Sequence, residues 1–294
     1  MLFRSQGKSA EPEPVASVKN QTITGSGGDI VIRIYTPKGD GPSPVILYIH
    51  GGGWVFADLD TYDSSPRALA NAAQAVVVST HYRQAPEHPF PASHEDTFTA
   101  YKWVRENARA LNGDPNRIAV SGESAGGNMA AAICLMARDQ NVPMPVHQLL
   151  VYPVVGTDTT TPSFIENANA KPLNKALMEW FGKHEFQNPN DKLDPRIDLA
   201  NANLRGLPPA TIITAEIDPL RSGGKLLAEK LKAAGVKVNY KNYEGVTHEF
   251  FGMGTVLEKA KDAVEFAAHD LGASFSKVKK PAKLSKLVSE KAPK

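Results

Sequence analysis

The chain has a single cysteine in 294 residues, Cys134, which excludes an internal disulfide. Its place in an apolar helical stretch reads as a buried thiol rather than a nucleophile. No apolar run approaches the ~20 residues of a membrane span, and the start, Met1–Ser9, lacks the apolar core of a signal peptide. These absences predict a cytoplasmic protein without a membrane span. Charge of one sign is also lacking: 33 Lys and Arg against 31 Asp and Glu leave a net +2, which provides no footprint for nucleic acid. The lysines gather at one end. Residues 277–294 hold seven of them against Glu290, a local +6 that leaves −4 on the rest. With Pro281 and Pro293, residues 274–294 read as a basic, solvated, disordered tail. No His, Cys and Asp cluster has metal-ligand spacing, so no metal is expected. No glycine loop carries the trailing Lys-Ser/Thr or the Gly-x-Gly-x-x-Gly spacing of a nucleotide site, so no cofactor is expected either. There are no internal repeats. A hydrophobic content of 41% with 22% charged residues is ordinary for a globular protein, and the length suffices for one large α/β core with a small appended subdomain.

In order, residues 1–17 are a polar, proline-bearing lead-in. Val18–Thr24 and Asp29–Thr36 alternate apolar and polar residues about Gly25-Ser-Gly-Gly28, which predicts an antiparallel hairpin at a sheet edge. Val45–Ile49 is continuously apolar, the mark of a strand buried on both faces. Strands and helices then alternate: helix 65–73, strand 75–80, helix 92–110, strand 117–121, helix 128–138, strand 148–152, strand 210–215, helix 222–234, strand 237–243 and helix 256–271. The rhythm predicts an α/β fold with a mostly parallel, doubly wound central sheet flanked by helices. Residues 156–207 interrupt it. They lack strand patterning, are rich in Asn, Asp and Pro, and hold one helix-like patch, 173–181. They read as a small cap inserted over the carboxyl ends of the strands, where ligands of open α/β sheets bind. The catalytic domain would then comprise 18–155 and 208–273.

The chemistry centres on Gly122-Glu-Ser-Ala-Gly-Gly127, set between a strand and a helix, the context of a nucleophile elbow. The serine of such a turn stands clear of the sheet, and Gly122 and Gly126 flank it because the turn crowds the backbone. The helix after it directs its positive end at the site. Ser124 needs a base, and the base needs an acid to hold its tautomer. Of eight histidines, His248 alone lies in a loop between the last strand and the last helix, in Gly245-Val-Thr-His. Asp218 follows the preceding strand. Taken singly, Asp218 before Pro219 reads as a helix cap and His248 as a loop histidine. At successive strand ends and in the order Ser124, Asp218, His248, they read as the triad of an α/β hydrolase. Glu216 is a rival acid. Glu123 and Glu249 adjoin the site and are expected to point elsewhere, or to tune its field. Oxyanion donors are expected from Gly51, Gly52 and Gly53, after the first buried strand, and from the amide of Ala125. His50 and Trp54 read as supports of that loop. Phe164, Leu173, Met178, Trp180 and Phe181, with Trp54 at the edge, are candidates for an apolar substrate pocket.

His50-Gly-Gly-Gly-Trp54, Tyr82-Arg-Gln-Ala-Pro-Glu-His-Pro-Phe-Pro-Ala92, Gly122–Gly127, Asp218-Pro-Leu-Arg221 and Gly245–His248 together resemble the hormone-sensitive-lipase-like branch of the α/β hydrolases, the bacterial family IV esterases. The resemblance spans about residues 18–272. It implies an α/β-hydrolase fold with Ser124 as nucleophile, Asp218 as acid and His248 as base. It also implies a serine carboxylesterase acting on small-molecule esters of short to medium chain, and edge-to-edge homodimers. Members usually carry cap helices before the first strand, so the lead-in reads as a remnant of that cap and the site as more open. Glu123 stands where Asp or Thr is commoner, Glu249 where Gly is usual, Gln84 for Leu, and Ser222-Gly223 where acidic residues often occur. None removes a reacting group. The same triad acting on an amide, lactone or carbamate, and a non-enzymatic small-molecule receptor on this scaffold, remain the alternatives.

Overall fold

Strand β3 (Ser43–Ile49) lies inside the sheet, and its side chains divide by parity. Val45, Leu47 and Ile49 join one apolar cluster, while Ile46 and Tyr48 join another. Successive strand residues face opposite sides, so a strand covered on both faces must be apolar throughout. Each such buried aliphatic side chain contributes roughly 1.5–3 kcal/mol.

A computed structural model of the chain describes residues 13–278. Its sheet has eight strands: β1 (Ser17–Gly25), β2 (Gly28–Thr36), β3, β4 (Val76–His81), β5 (Gly113–Glu123), β6 (Gln148–Val151), β7 (Ala210–Ile217) and β8 (Val238–Thr247). They lie in the order β1-β2-β4-β3-β5-β6-β7-β8. The hairpin β1–β2 and the pair β2–β4 are antiparallel, and all other pairs are parallel. Helices α1 (Ser64–Ala73), α2 (Ala92–Asn107), α3 (Ala125–Asp139), α6 (Arg221–Ala233) and α7 (Glu258–Lys277) cover it. Helix α3 is buried nearly all round, as its Ala, Met, Ile and Leu content requires. This is the α/β-hydrolase fold, with the helix-flanked, mostly parallel sheet that the alternating pattern predicts.

Between β6 and β7 the chain forms two short helices, α4 (Pro162–Glu166) and α5 (Lys175–Glu185), and a 3-10 turn at Pro189–Leu193. The apolar patch expected at 173–181 is shifted along by a few residues because Asn174 is the cap: its side chain accepts from the Leu177 amide at 2.9 Å. Helix α7 also departs from expectation. It continues to Lys277, so residues 274–277 are helical rather than part of a disordered tail, with Ser274 and Phe275 buried against the core. Residues 279–294 of the basic tail and the first twelve residues of the lead-in lie outside the described residues. Among the described residues, no helix is long and apolar enough to cross a membrane.

Strand register aligns the ends of the parallel strands. Ile49 pairs with Gly122, Glu123 with Val151, Val151 with Ile213 and, after a bulge, Ile217 with Thr247. The carboxyl ends of β3, β5, β6, β7 and β8 therefore share one edge, and the loops leaving them converge.

Candidate active site

Ser124 occupies the step from β5 to α3 with φ 58° and ψ −118°, a conformation that costs a non-glycine residue roughly 1–3 kcal/mol. Neighbouring hydrogen bonds hold it there. Its amide donates to the Val151 carbonyl at 2.9 Å, and its carbonyl accepts from Asn128 and Val154, both at 3.1 Å. The flanking glycines are required by space. A Cβ at Gly122 would crowd the Gly126 carbonyl, and one at Gly126 would crowd those of Ile49 and His50, all closer than 3.0 Å.

The structure brings Ser124, Asp218 and His248 together. His248 Nε2 lies 3.0 Å from Ser124 Oγ, and its Nδ1 lies 2.7 Å from Asp218 Oδ2. The other carboxylate oxygen of Asp218 accepts from the Leu220 amide at 2.8 Å. With a carboxylate at Nδ1, that nitrogen carries the proton and Nε2 is left to accept from the serine hydroxyl. Asp218 is fully buried and His248 3% exposed, whereas Ser124 keeps 5%. Glu216 is engaged elsewhere, accepting from the Gly245 amide.

Burial alone drives a histidine toward its neutral form. It takes His50 down to about 3 and His94 and His147 to about 4. His248 is just as enclosed, and burial again opposes its charged form. The charge and hydrogen bond of Asp218 outweigh that, Glu249 and Glu123 add to them, and His248 ends above its ordinary value.

The glycine loop after β3 abuts this group. A Cβ at Gly51 would come 3.2 Å from Ser124 Cβ. Gly52 and Gly53 have φ of 95° and 60°, which glycine adopts without steric cost. The Gly52 carbonyl accepts from Val55 and Phe56, both at 3.1 Å. The Tyr82 hydroxyl donates to the Gly51 and His50 carbonyls at 2.9 and 3.1 Å, while the Tyr82 ring stacks on His50 at 4.4 Å. Ala125 follows Ser124 as the first, buried residue of α3. Trp54 lies beneath the loop, stacked on His94 and edge-on to Phe186.

Of the expected pocket residues, Phe181 sits directly on the loop, where any Cβ at Gly53 would strike its ring, and it packs on Phe56 at 5.0 Å. Leu173 is buried in the same cluster, with Met178 partly buried against it. Phe164 is buried in α4, whose Ser163 hydroxyl donates to the Pro219 carbonyl. Trp180 is largely exposed at 44%.

One group was not legible in the sequence. Tyr48, Tyr62 and Tyr152, all fully buried, surround the two acidic neighbours of the site. Tyr48 and Tyr152 donate to the two oxygens of Glu123, and the Tyr152 ring lies 4.4 Å from that of His248. Tyr62 donates to both oxygens of Glu249 at 2.7 and 2.8 Å. Burial and then the charge of Glu249 raise the Glu123 carboxyl to about 7, against the pull of its tyrosine bonds. Of the two expectations for Glu249, pointing elsewhere is not what the structure shows: its Oε1 lies 3.6 Å from His248 Nε2. Isolated tyrosines carry no motif: Tyr48 lies within β3, Tyr62 on the loop before α1, and only Tyr152 falls just past a strand end, that of β6. Among the described residues, no group of three or more His, Cys, Asp or Glu side chains is placed to hold a metal ion.

A family model described as an α/β-hydrolase fold matches residues 46–252. The chain is 44% identical over 256 residues to carboxylesterase NlhH of Mycobacterium tuberculosis, across 85% of this chain and 80% of that one. It is 43% identical over 258 residues, with the same coverage, to esterase LipI of the same organism. Among solved structures, the esterase of Pyrobaculum calidifontis superposes with a TM-score of 0.86 at 43% identity, covering 89% of this chain and 87% of that one.

Proposed function

The chain belongs to the hormone-sensitive-lipase-like, family IV esterases of the α/β-hydrolase superfamily, and from that premise we propose that it is a serine carboxylesterase acting on small esters of short to medium acyl chain. The observation that carries this reading is the continuous path from Asp218 through His248 to Ser124, at 2.7 and 3.0 Å.

In the proposed reaction Ser124 Oγ attacks the ester carbonyl as His248 Nε2 takes its proton, and Asp218 stabilises the imidazolium. The carbonyl oxygen gains negative charge against the amides of Ala125, Gly52 and Gly53, with Gly51 setting the turn; each donor is worth roughly 3 kcal/mol. The tetrahedral adduct expels the alcohol, which leaves with the proton from His248. Water then repeats the steps on the acyl-serine and releases the acid. Residues 156–207 serve as the cap, and Phe181, Leu173, Met178 and Phe164 line the acyl side. Phe181 supports this part, since its ring already bears on Gly53. The proposal extends to edge-to-edge homodimers through β8, the outermost parallel strand, and size measurement in solution decides that point.

The test is initial rates on p-nitrophenyl esters from acetate to palmitate, for the wild type and Ser124→Ala. Rates that peak at short or medium chains and vanish in the variant support the proposal. Equal rates in both proteins would remove Ser124 as nucleophile, and silence in both would remove ester hydrolysis.

A further inference from the structure

We infer that Glu249 is a positioning residue for the reaction: a second carboxylate partner of His248, set against Nε2, the nitrogen turned toward Ser124, while Asp218 holds Nδ1. The inference rests on the esterase reading above and adds a residue to it.

Glu249 occupies a position that works against a glutamate in two ways. Its backbone has φ 71° and ψ 6°, in the left-handed region that glycine enters freely and other residues enter at a cost. Its carboxylate is also buried, 6% exposed, away from the water that would solvate it. It is held firmly all the same. Tyr62, on the loop before α1, donates to both oxygens and is itself fully buried. The result is a fixed negative group with one oxygen 3.6 Å from Nε2, too far for a hydrogen bond and well within charge contact.

In the resting site Nε2 bears a lone pair and gains nothing from that oxygen. Once Nε2 has taken the proton of Ser124, the ring is cationic and lies between Asp218 on one side and Glu249 on the other. An interaction that strengthens only in the charged state favours the transition state over the ground state. The same charge also favours the protonated resting ring, which cannot accept from Ser124, so acid inactivation begins at a higher pH. Other groups face the ring as well: Asp218 from the end of β7, Glu123 from the end of β5 through Tyr152, Tyr152 itself after β6, and Ser124 at the elbow. Glu249 is set apart from Glu123 by its direct approach to Nε2.

The experiment compares the wild type, Glu249→Gln, Glu249→Gly and Glu123→Gln. It records pH profiles of kcat and kcat/KM on p-nitrophenyl acetate, and NMR titration of labelled histidine with His248 assigned by replacement. Both Glu249 variants are expected to move the acid limb and the ring titration down by about one pH unit, the low end for a charge at this distance. The plateau kcat should fall by a similar factor of about 10, and the shift in Glu123→Gln should be smaller. A purely structural role would lower the plateau and leave both titrations in place, which overturns the inference, as does a full shift seen only in Glu123→Gln. Should Glu249→Gln fail to fold, Glu249→Gly, which suits the backbone at that position, decides. If the wild type hydrolyses no ester, the esterase reading fails, and the NMR titration still reports whether Glu249 acts on His248.

Discussion

The backbone at Gly126 packs so closely on the Ile49 carbonyl that a Cβ there would come nearer than 3.0 Å to its oxygen, and the His50 carbonyl oxygen also falls within 3.0 Å. These are main-chain atoms and cannot swing aside. Gly126→Ala must therefore part the elbow from the glycine loop. It is expected to destabilise the fold by about 1–3 kcal/mol and to lower kcat by more than about 100-fold, the effect of displacing an oxyanion donor. Urea unfolding and steady-state rates check both.

Gly53 and Phe181 present a different case, because the obstacle is a side chain. Any Cβ at Gly53 strikes the Phe181 ring, and φ is 60° besides. Gly53→Ala is expected to reduce kcat/KM about 100-fold. Adding Phe181→Ala removes the clash but not the backbone penalty, so the double variant should recover part of the lost stability while staying slow. A double-mutant cycle on stability is expected to give a coupling of about 0.5–3 kcal/mol; strict additivity would mean that the two residues do not meet.

Asp218→Asn keeps the shape and removes the charge that holds the His248 tautomer. A fall in kcat of about 10⁴-fold with little change in KM is expected. The ring titration of His248 should fall as well, since Asp218 is the largest influence raising it.

Glu185, at the end of α5, is buried and accepts weakly from the Ser93 hydroxyl at 3.4 Å. Burial raises its carboxyl from the usual 4.5 to about 9. Between those two values the folded chain holds a proton that the unfolded chain has released. Stability from this group therefore falls as pH rises through that window and levels off above it. Glu185→Gln, shaped like the protonated acid, should show a flatter stability profile between pH 5 and about 9. An unchanged slope in denaturant titrations would count against a buried, protonated Glu185.

Much of the architecture was legible because the alternation of apolar strands and amphipathic helices is dense and the glycine motifs fall where strands end. Ser124, Asp218 and His248 stood out together for that reason, though each is ambiguous singly. Boundaries were less legible. β8 runs on to Thr247 because pairing resumes past the irregularity between Ala215 and Ile217, which no local pattern announces. The Tyr48, Tyr62 and Tyr152 group was hidden because its members come from three separate loops and strands. The sequence left two courses open for Glu249, pointing elsewhere or tuning the site's field, because its direction depends on a left-handed backbone and on Tyr62, neither of which is written beside it.

The chain separations within the site have a consequence for synthesis. Ser124 and His248 are 124 positions apart, and Tyr62 and Glu249 are 187 apart. At about 5–20 residues per second, the ribosome completes the elbow roughly 6–25 s before it reaches the histidine. During that interval Ser124 lacks its partner His248, and Tyr62 has no Glu249. With Ser124 and His248 in the roles proposed above, hydrolysis waits for β8 to be made, and its onset would serve as a clock for the arrival of that strand.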